Sequence, residues 1–309
     1  MINLRYHVVS LVAVFLALTV GIVMGSTVID RVIVDDLNRR VDSVRRSVTN
    51  AEAENGRLRG QLQTVQDFAN QARDQLVHGH LRGVPVLVVA SAGVDRKPVD
   101  GLRQALVVSQ ATLTGTLWFT AKMRLDNDGD VRALSGALAV AVDRPEALRQ
   151  QALERVAAIL EGRGGASLLS ALATAGFVNY DPPPAESAST VTALSGLPSS
   201  GVRVVLVGGA GADVGDEQVT VPLARALAQS SGRVVAAESG QDTPGGRDVF
   251  VGLLRKDSSV ASRLSTVDNL ESPMGQAAAV LALNDLAVPR LGHYGVGDGA
   301  QRLLPPSQT

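Results

Sequence analysis

Two apolar patterns follow one another in the first quarter of the chain. From Val8 to Ile29 there are 22 residues without a charge. That length suffices for one helix to cross a hydrocarbon core of roughly 30 Å. From Val34 to Leu76 the apolar residues instead fall at alternating spacings of three and four. Val34, Val41, Val48, Asn55, Leu62, Ala69 and Leu76 occupy a positions, and Leu37, Val44, Ala51, Leu58, Val65 and Ala72 occupy d positions. Six heptads in one register, free of proline and weakened only at Gly56 and Gly60, predict a coiled coil. Past Arg82 the pattern changes to short apolar runs separated by turn residues and helical stretches.

The membrane-length segment sets the expected topology. Only the α-amine, Arg5 and His7 precede it, so the positive side is the short one and stays in the cytoplasm, and the remaining chain is translocated. The rival reading is a signal peptide cleaved after Val23-Met24-Gly25, with export to the outer envelope; the apolar stretch is longer than the 7–15 residues of a usual signal core. Within the span Ala13, Ala17, Gly21 and Gly25 recur every fourth residue, placing small side chains on one stripe where a second helix can approach closely. Valine at a with leucine at some d positions favours a parallel pair, and Asn55 at a is expected to fix its register. Glu54 at g is expected to face Arg59 at e of the partner, whereas Arg40 with Arg45 repels. At 1.5 Å per residue the stalk extends about 65 Å. The alternative is an amphipathic helix folded back on the rest of the chain.

The remainder reads as α/β. Val84 to Val89, followed by a Ser-Ala-Gly turn, predicts a buried strand, with a helix from about Pro98 to Ser109 and a strand from Thr112 to Phe119. Val202 to Val207 with its Gly-Gly-Ala-Gly turn, a helix from about Gln218 to Gln229 and a strand from Arg233 to Ala237 repeat the order. Continuous valine-rich strands mark a parallel sheet covered on both faces. Two related Rossmann-like β-α-β halves are therefore expected, joined by helices around 144–161 and 165–175, with a last helix from Pro273 to Val288. The expected division is a cytoplasmic tail (1–7), a transmembrane helix (8–29), a coiled-coil stalk (30–80), a first half (81–180), a Pro/Ser/Ala-rich linker (181–201), a second half (202–291) and a flexible tail (292–309).

Composition narrows the chemistry. The chain has 309 residues, a formal net charge of −1, 3% aromatics and no cysteine. Without a basic excess a nucleic-acid partner is not expected, and without cysteine there are no disulfides, thiolate metal sites or cysteine nucleophiles. Gly208-Gly209-Ala210-Gly211 follows a strand, but Val214 stands where a dinucleotide turn needs its third glycine. Val89-Ala90-Ser91-Ala92-Gly93 places a serine at a strand end without the first glycine of a nucleophile elbow, and only His293 lies downstream as a base. Asp126-Asn127-Asp128-Gly129-Asp130 groups three carboxylates, but Ala137 sits where a calcium loop needs its bidentate glutamate. His78 and His80 are weak candidates for a metal such as Cu²⁺ or Zn²⁺. No catalytic residue, no cofactor and no enzymatic activity are expected.

The run Ile2-Asn3-Leu4-Arg5-Tyr6-His7-Val8-Val9-Ser10-Leu11, continuing through Ala13 to Leu18 and to Gly25-Ser26, is highly specific. With Ser265-Thr266-Val267-Asp268-Asn269 and Gly292-His293-Tyr294-Gly295 it resembles the mycobacterial copper transport protein B family of actinobacteria, over nearly the whole chain. The resemblance implies an envelope protein of copper homeostasis or efflux, proposed as a channel-forming outer-membrane component. Corynebacterial relatives imply instead a role in envelope integrity and cell separation with a cytoplasmic-membrane partner. A channel needs several membrane helices or a closed barrel of alternating strands, and this sequence offers one apolar helix and fully apolar short strands. Two expectations follow: a copper-export component, or a dimeric non-enzymatic scaffold or regulator with a protein partner.

Overall fold

The computed structural model describes residues 4–141, 144–165, 167–187, 189, 191–197, 201–230, 233–240, 249–288 and 290–306, the side chains of 4, 26–34 and 230 excepted. The chain divides into two compact units, Met1–Val65 and Gln66–Thr309. One helix, α1 (Leu4–Val77), carries both N-terminal patterns. Its stretch Arg5–Gly25 is long and apolar enough to cross a membrane, with a mean hydropathy of 2.6 and none of it buried.

The second unit is a mixed α/β body. In chain order its elements are β1 (Pro85–Ser91), α2 (Arg96–Val108), β2 (Thr112–Phe119), α3 (Asp128–Leu138), α4 (Pro145–Leu160), α5 (Ser167–Thr174) and β3 (Val178–Asp181). There follow β4 (Arg203–Gly209), α6 (Thr220–Ser230), β5 (Val234–Ser239), α7 (Val251–Lys256), α8 (Ser258–Ala261), β6 (Ser265–Val267), α9 (Pro273–Asp285) and β7 (His293–Tyr294). Among the described residues, seven strands form one sheet in the order β3-β2-β1-β4-β5-β6-β7, and only the β2–β3 pair is antiparallel.

The valine-rich strands are central because parallel strands buried on both faces need apolar residues at every position. Leu87, Val89, Leu206 and Ala236 point into one core with α3, α4, α5, α6 and α7. Val86, Val88, Val205, Val207 and Val235 point into the other with α2, α9, Val77 and Leu81. Burying each such side chain contributes about 1.5–3 kcal/mol. Local signals set the helix starts: Asp95 accepts from the Lys97 amide at the head of α2, and Ser272 accepts from the Gly275 amide ahead of Pro273 in α9.

The two expected β-α-β segments are strands of a single sheet. Their inner strands β1 and β4 lie side by side, paired Val86↔Arg203 to Ala90↔Val207. α2 covers one face and α6 the other, so the chain winds outward from the centre in both directions. Three strands lie beyond the expected pattern. β3 closes one edge where the linker was expected to begin; Trp118 Nε1 donates to Asp181 and the Tyr180 hydroxyl donates to the Thr114 carbonyl across it. β6 and β7 close the other edge, so the segment from Gly292, expected as a flexible tail, contains a strand. The expected linker 181–201 lies partly outside the described residues.

Candidate functional site

In a doubly wound sheet, ligands bind where the strand order reverses, in the crevice beyond the carboxyl ends of the strands. Here that place lies between β1 and β4, where the Ser91-Ala92-Gly93 and Gly208-to-Gly211 turns emerge. The turns pack on each other. The Asp213 amide donates to the Ala92 carbonyl at 2.6 Å, and a Cβ on Gly93, at φ +91°, would overlap the Gly211 carbonyl. A Cβ on Gly208 would collide with Asp216 and Phe250. These glycines therefore serve close backbone approach, and the two turns meet at the switch point.

Three buried carboxylates organise the same edge. Asp216 accepts from the Gly209 amide (2.9 Å) and the Thr220 hydroxyl (2.5 Å); burial raises its pKa, and those two bonds work against the rise. Glu238, at the end of β5, accepts from the amides of Val249, Phe250 and Val251 and so satisfies the start of α7. Asp268, just past β6, accepts from Arg255 Nη1 at 2.6 Å and from the amides of Val296 and Gly297.

This last group joins the two sequence motifs that flank α9. Thr266 pairs with His293 and Val267 with Tyr294 in adjacent parallel strands. A Cβ on Gly295 would overlap the Asp268 carboxylate. Arg255 ties the motifs together, donating to Thr266 Oγ1, Asp268, and the carbonyls of Tyr294 and Asp298. Thr266 Oγ1 accepts from Arg255 Nε and lies 2.9 Å from His293 Nδ1, so one hydroxyl joins the arginine to the imidazole. Burial, then the charge of Arg255, lowers the His293 pKa. The arrangement locks a sheet edge; its polar groups point at one another.

Other sequence candidates find structural places. Ser91 is fully buried, and its hydroxyl has no hydrogen-bond partner among the described residues. Four strand steps separate β1 from β7, about 19 Å at ~4.8 Å each, so His293 is no base for Ser91. Asn127 caps α3 through the Asp130 amide and also donates to the Asp130 carboxylate, so the acidic cluster is a helix start. Between α4 and α6 lies a groove of about 760 Å³ whose lining includes Glu146, Arg149, Glu154, Glu217 and Arg225.

On α1, Ala13, Ala17 and Gly21 are exposed, and nothing stands within 4 Å of a Cβ on Gly21 or Gly25. The seam residues Leu37, Val41, Val44, Val48, Leu58, Leu62 and Val65 are 41–62% exposed. Asn55 is exposed among them, and Val34 lies outside the described side chains. Glu54 pairs with Arg57 of its own helix at 2.5 Å.

A family model described as copper transport outer membrane protein, MctB, matches residues 1–305. The chain belongs to the MctB family. The copper transporter MctB of Mycobacterium tuberculosis (strain ATCC 25618 / H37Rv) is 29% identical over 322 residues, spanning 97% of this chain and 98% of that protein. The Mycobacterium leprae (strain TN) copper transporter MctB is 28% identical over 327 residues, spanning 99% and 100%.

For an MctB chain, soft or imidazole donors are the groups to locate. His78 and His80 are exposed in the turns directly after α1. Met123 is buried under the sheet, while Met24 and Met274 are exposed. Among the described residues no three His, Cys, Asp or Glu side chains are grouped closely enough to hold a metal ion. The capping acids escaped the sequence reading because a lone Glu or Asp after a strand looks like any loop residue. Only the motifs Ser265–Asn269 and Gly292–Gly295 signalled that edge.

Proposed function

We propose that this MctB-family protein serves copper homeostasis at the cell envelope as a membrane-anchored, parallel dimeric scaffold. Its N-terminus is cytoplasmic, its α/β unit extracytoplasmic, and it acts through a protein partner without enzymatic activity. The family supports the copper-related envelope role. The exposed a/d seam of α1 carries the scaffold reading. Seven large apolar side chains at heptad positions, each 41–62% exposed, are the arrangement that a second, identical helix buries. The open stripe of Ala13, Ala17, Gly21 and Gly25 suits the same pairing within the bilayer. The acids that accept from backbone amides, Glu238 and Asp268, suit a structural role and so a scaffold. The two β-α-β segments are, on this reading, related halves of one sheet. A copper-export pore is the second reading, favoured by the relatives' name alone.

Complementation of a deletion strain separates the two. Loss of the gene should impair copper tolerance, with chained cells if the partner acts in cell separation. A Val44→Glu/Leu58→Glu chain, present at normal levels, should fail to restore tolerance; a His78→Ala/His80→Ala chain should restore it. Full restoration by the seam variant contradicts the scaffold. So does stoichiometric, sub-micromolar copper binding by the purified chain that is lost with the two histidines.

A further inference from the structure

Among the described residues beyond the first 25, Phe68 is the one aromatic side chain left exposed. Phe119, Phe177 and Phe250 are fully buried, Trp118 and Tyr294 nearly so, and Tyr180 is half-buried. Phe68 is 72% exposed. It sits in the last turns of α1, at a g position of the heptad register, between Val65 and Ala72.

Here the helix divides into two adjacent stripes. Ala69, Arg73 and Val77, at i, i+4 and i+8, face the α/β body. Val77 is fully buried among the residues of α2 and α9. Arg73 is 8% exposed and donates to Gln276 Oε1 at 2.5 Å. Gln276 in turn donates to the Leu270 carbonyl and fills the notch over Gly101. Ala69, an a position, is thereby half-covered, and the regular seam loses part of its width. Phe68, Ala72 and Leu76, again at i, i+4 and i+8, form the neighbouring stripe and stay exposed.

We propose that this stripe packs against the same stripe of a second copy, with Phe68 as the anchor of the dimer beside the α/β unit. The inference rests on the parallel pairing proposed above. Parallel pairing is isologous, so it brings identical stripes of the two chains together at the same height. A ring that can bury 150 Å² or more makes up for the small contact of Ala69 and Ala72. The free side of the stripe carries Gln61, Thr64, Gln71 and Gln75, so no like charges meet across the axis, unlike Arg40 and Arg45 higher in the sequence. A large aromatic amid uncharged neighbours is the composition of an interface hot spot.

The absence of cysteine makes a direct test clean. Single variants Val44→Cys, Ala72→Cys and Asn70→Cys of the full chain would be oxidised in native membranes. A disulfide reports Cα atoms about 4.4–6.8 Å apart. Cross-linking is expected at 44 and 72 and not at 70. Adding Phe68→Ala should reduce cross-linking at 72 and weaken the dimer in detergent at least about tenfold, with the melting of the α/β unit unchanged. Cross-linking at 44 without 72 would overturn the proposal while leaving the pairing intact. An unchanged dimer with Phe68→Ala would also overturn it, leaving Phe68 to another protein. Failure at both 44 and 72 would remove the pairing itself, and the inference with it.

Discussion

The two units of this chain use the same aliphatic residues to opposite ends. In Gln66–Thr309, valines and leucines of β1, β4 and β5 are at most 2% exposed and its acids hold helix starts and loops. In Met1–Val65, apolar side chains from Val8 to Met24 are 54–70% exposed and those of the heptad seam 41–62%. The first arrangement is complete in one copy. The second leaves apolar surface in water, and on the function proposed above lipid covers one stretch and a second helix the other. Gln66–Thr309 thus buries these apolar residues within itself, whereas Met1–Val65 leaves its own exposed.

The sharpest way to break the contrast is to charge the seam. Val44→Glu/Leu58→Glu puts four carboxylates against apolar neighbours in a dimer, and several kcal/mol per buried charge predicts at least about a thousandfold loss of dimerisation. The melting temperature of the α/β unit in the same sample should not move. The converse comes from Arg255, 5% exposed beside Asp268. Arg255→Ala leaves a buried carboxylate without its cation and should cost about 3–5 kcal/mol. Denaturant unfolding of the full chain should show that loss while light scattering still shows the dimer.

How much of this was legible follows from which interactions are local in sequence. The helix that carries both N-terminal patterns was legible because an uncharged run and a 3-4 spacing follow one another unbroken, and β1, β2, β4 and β5 because fully buried parallel strands read as solid valine runs. β6 was not, since Ser265-Thr266-Val267 is short and half polar, and its partner His293-Tyr294 lies 27 positions away. Their pairing depends on Arg255, from a third segment. Likewise the Gly93 and Gly211 turns meet at the switch point, a contact that neither turn announces alone. Glu54 reads as a cross-chain partner by register, and within its own helix it also pairs with Arg57, three residues on, because i, i+3 neighbours meet on any helix.

The smallest expected effect concerns the same edge and depends on pH. Burial holds the His293 pKa below its ordinary value of about 6.5. The unfolded chain therefore takes up a proton that the folded chain resists. The sign follows: stability is full above that pH and falls as pH drops through it. His293→Gln should flatten the decline in melting temperature between pH 7 and pH 5.5 without affecting the dimer. An equal decline in the variant would place the sensitivity elsewhere.

The central claim, that α1 is completed by a second copy, is tested most directly by the mass of the full chain in lipid nanodiscs under dilute conditions. The account predicts a protein mass of twice 32.1 kDa that collapses to the single value for Val44→Glu/Leu58→Glu. A single-chain mass for the unaltered protein, at concentrations where the α/β unit remains folded, would contradict it.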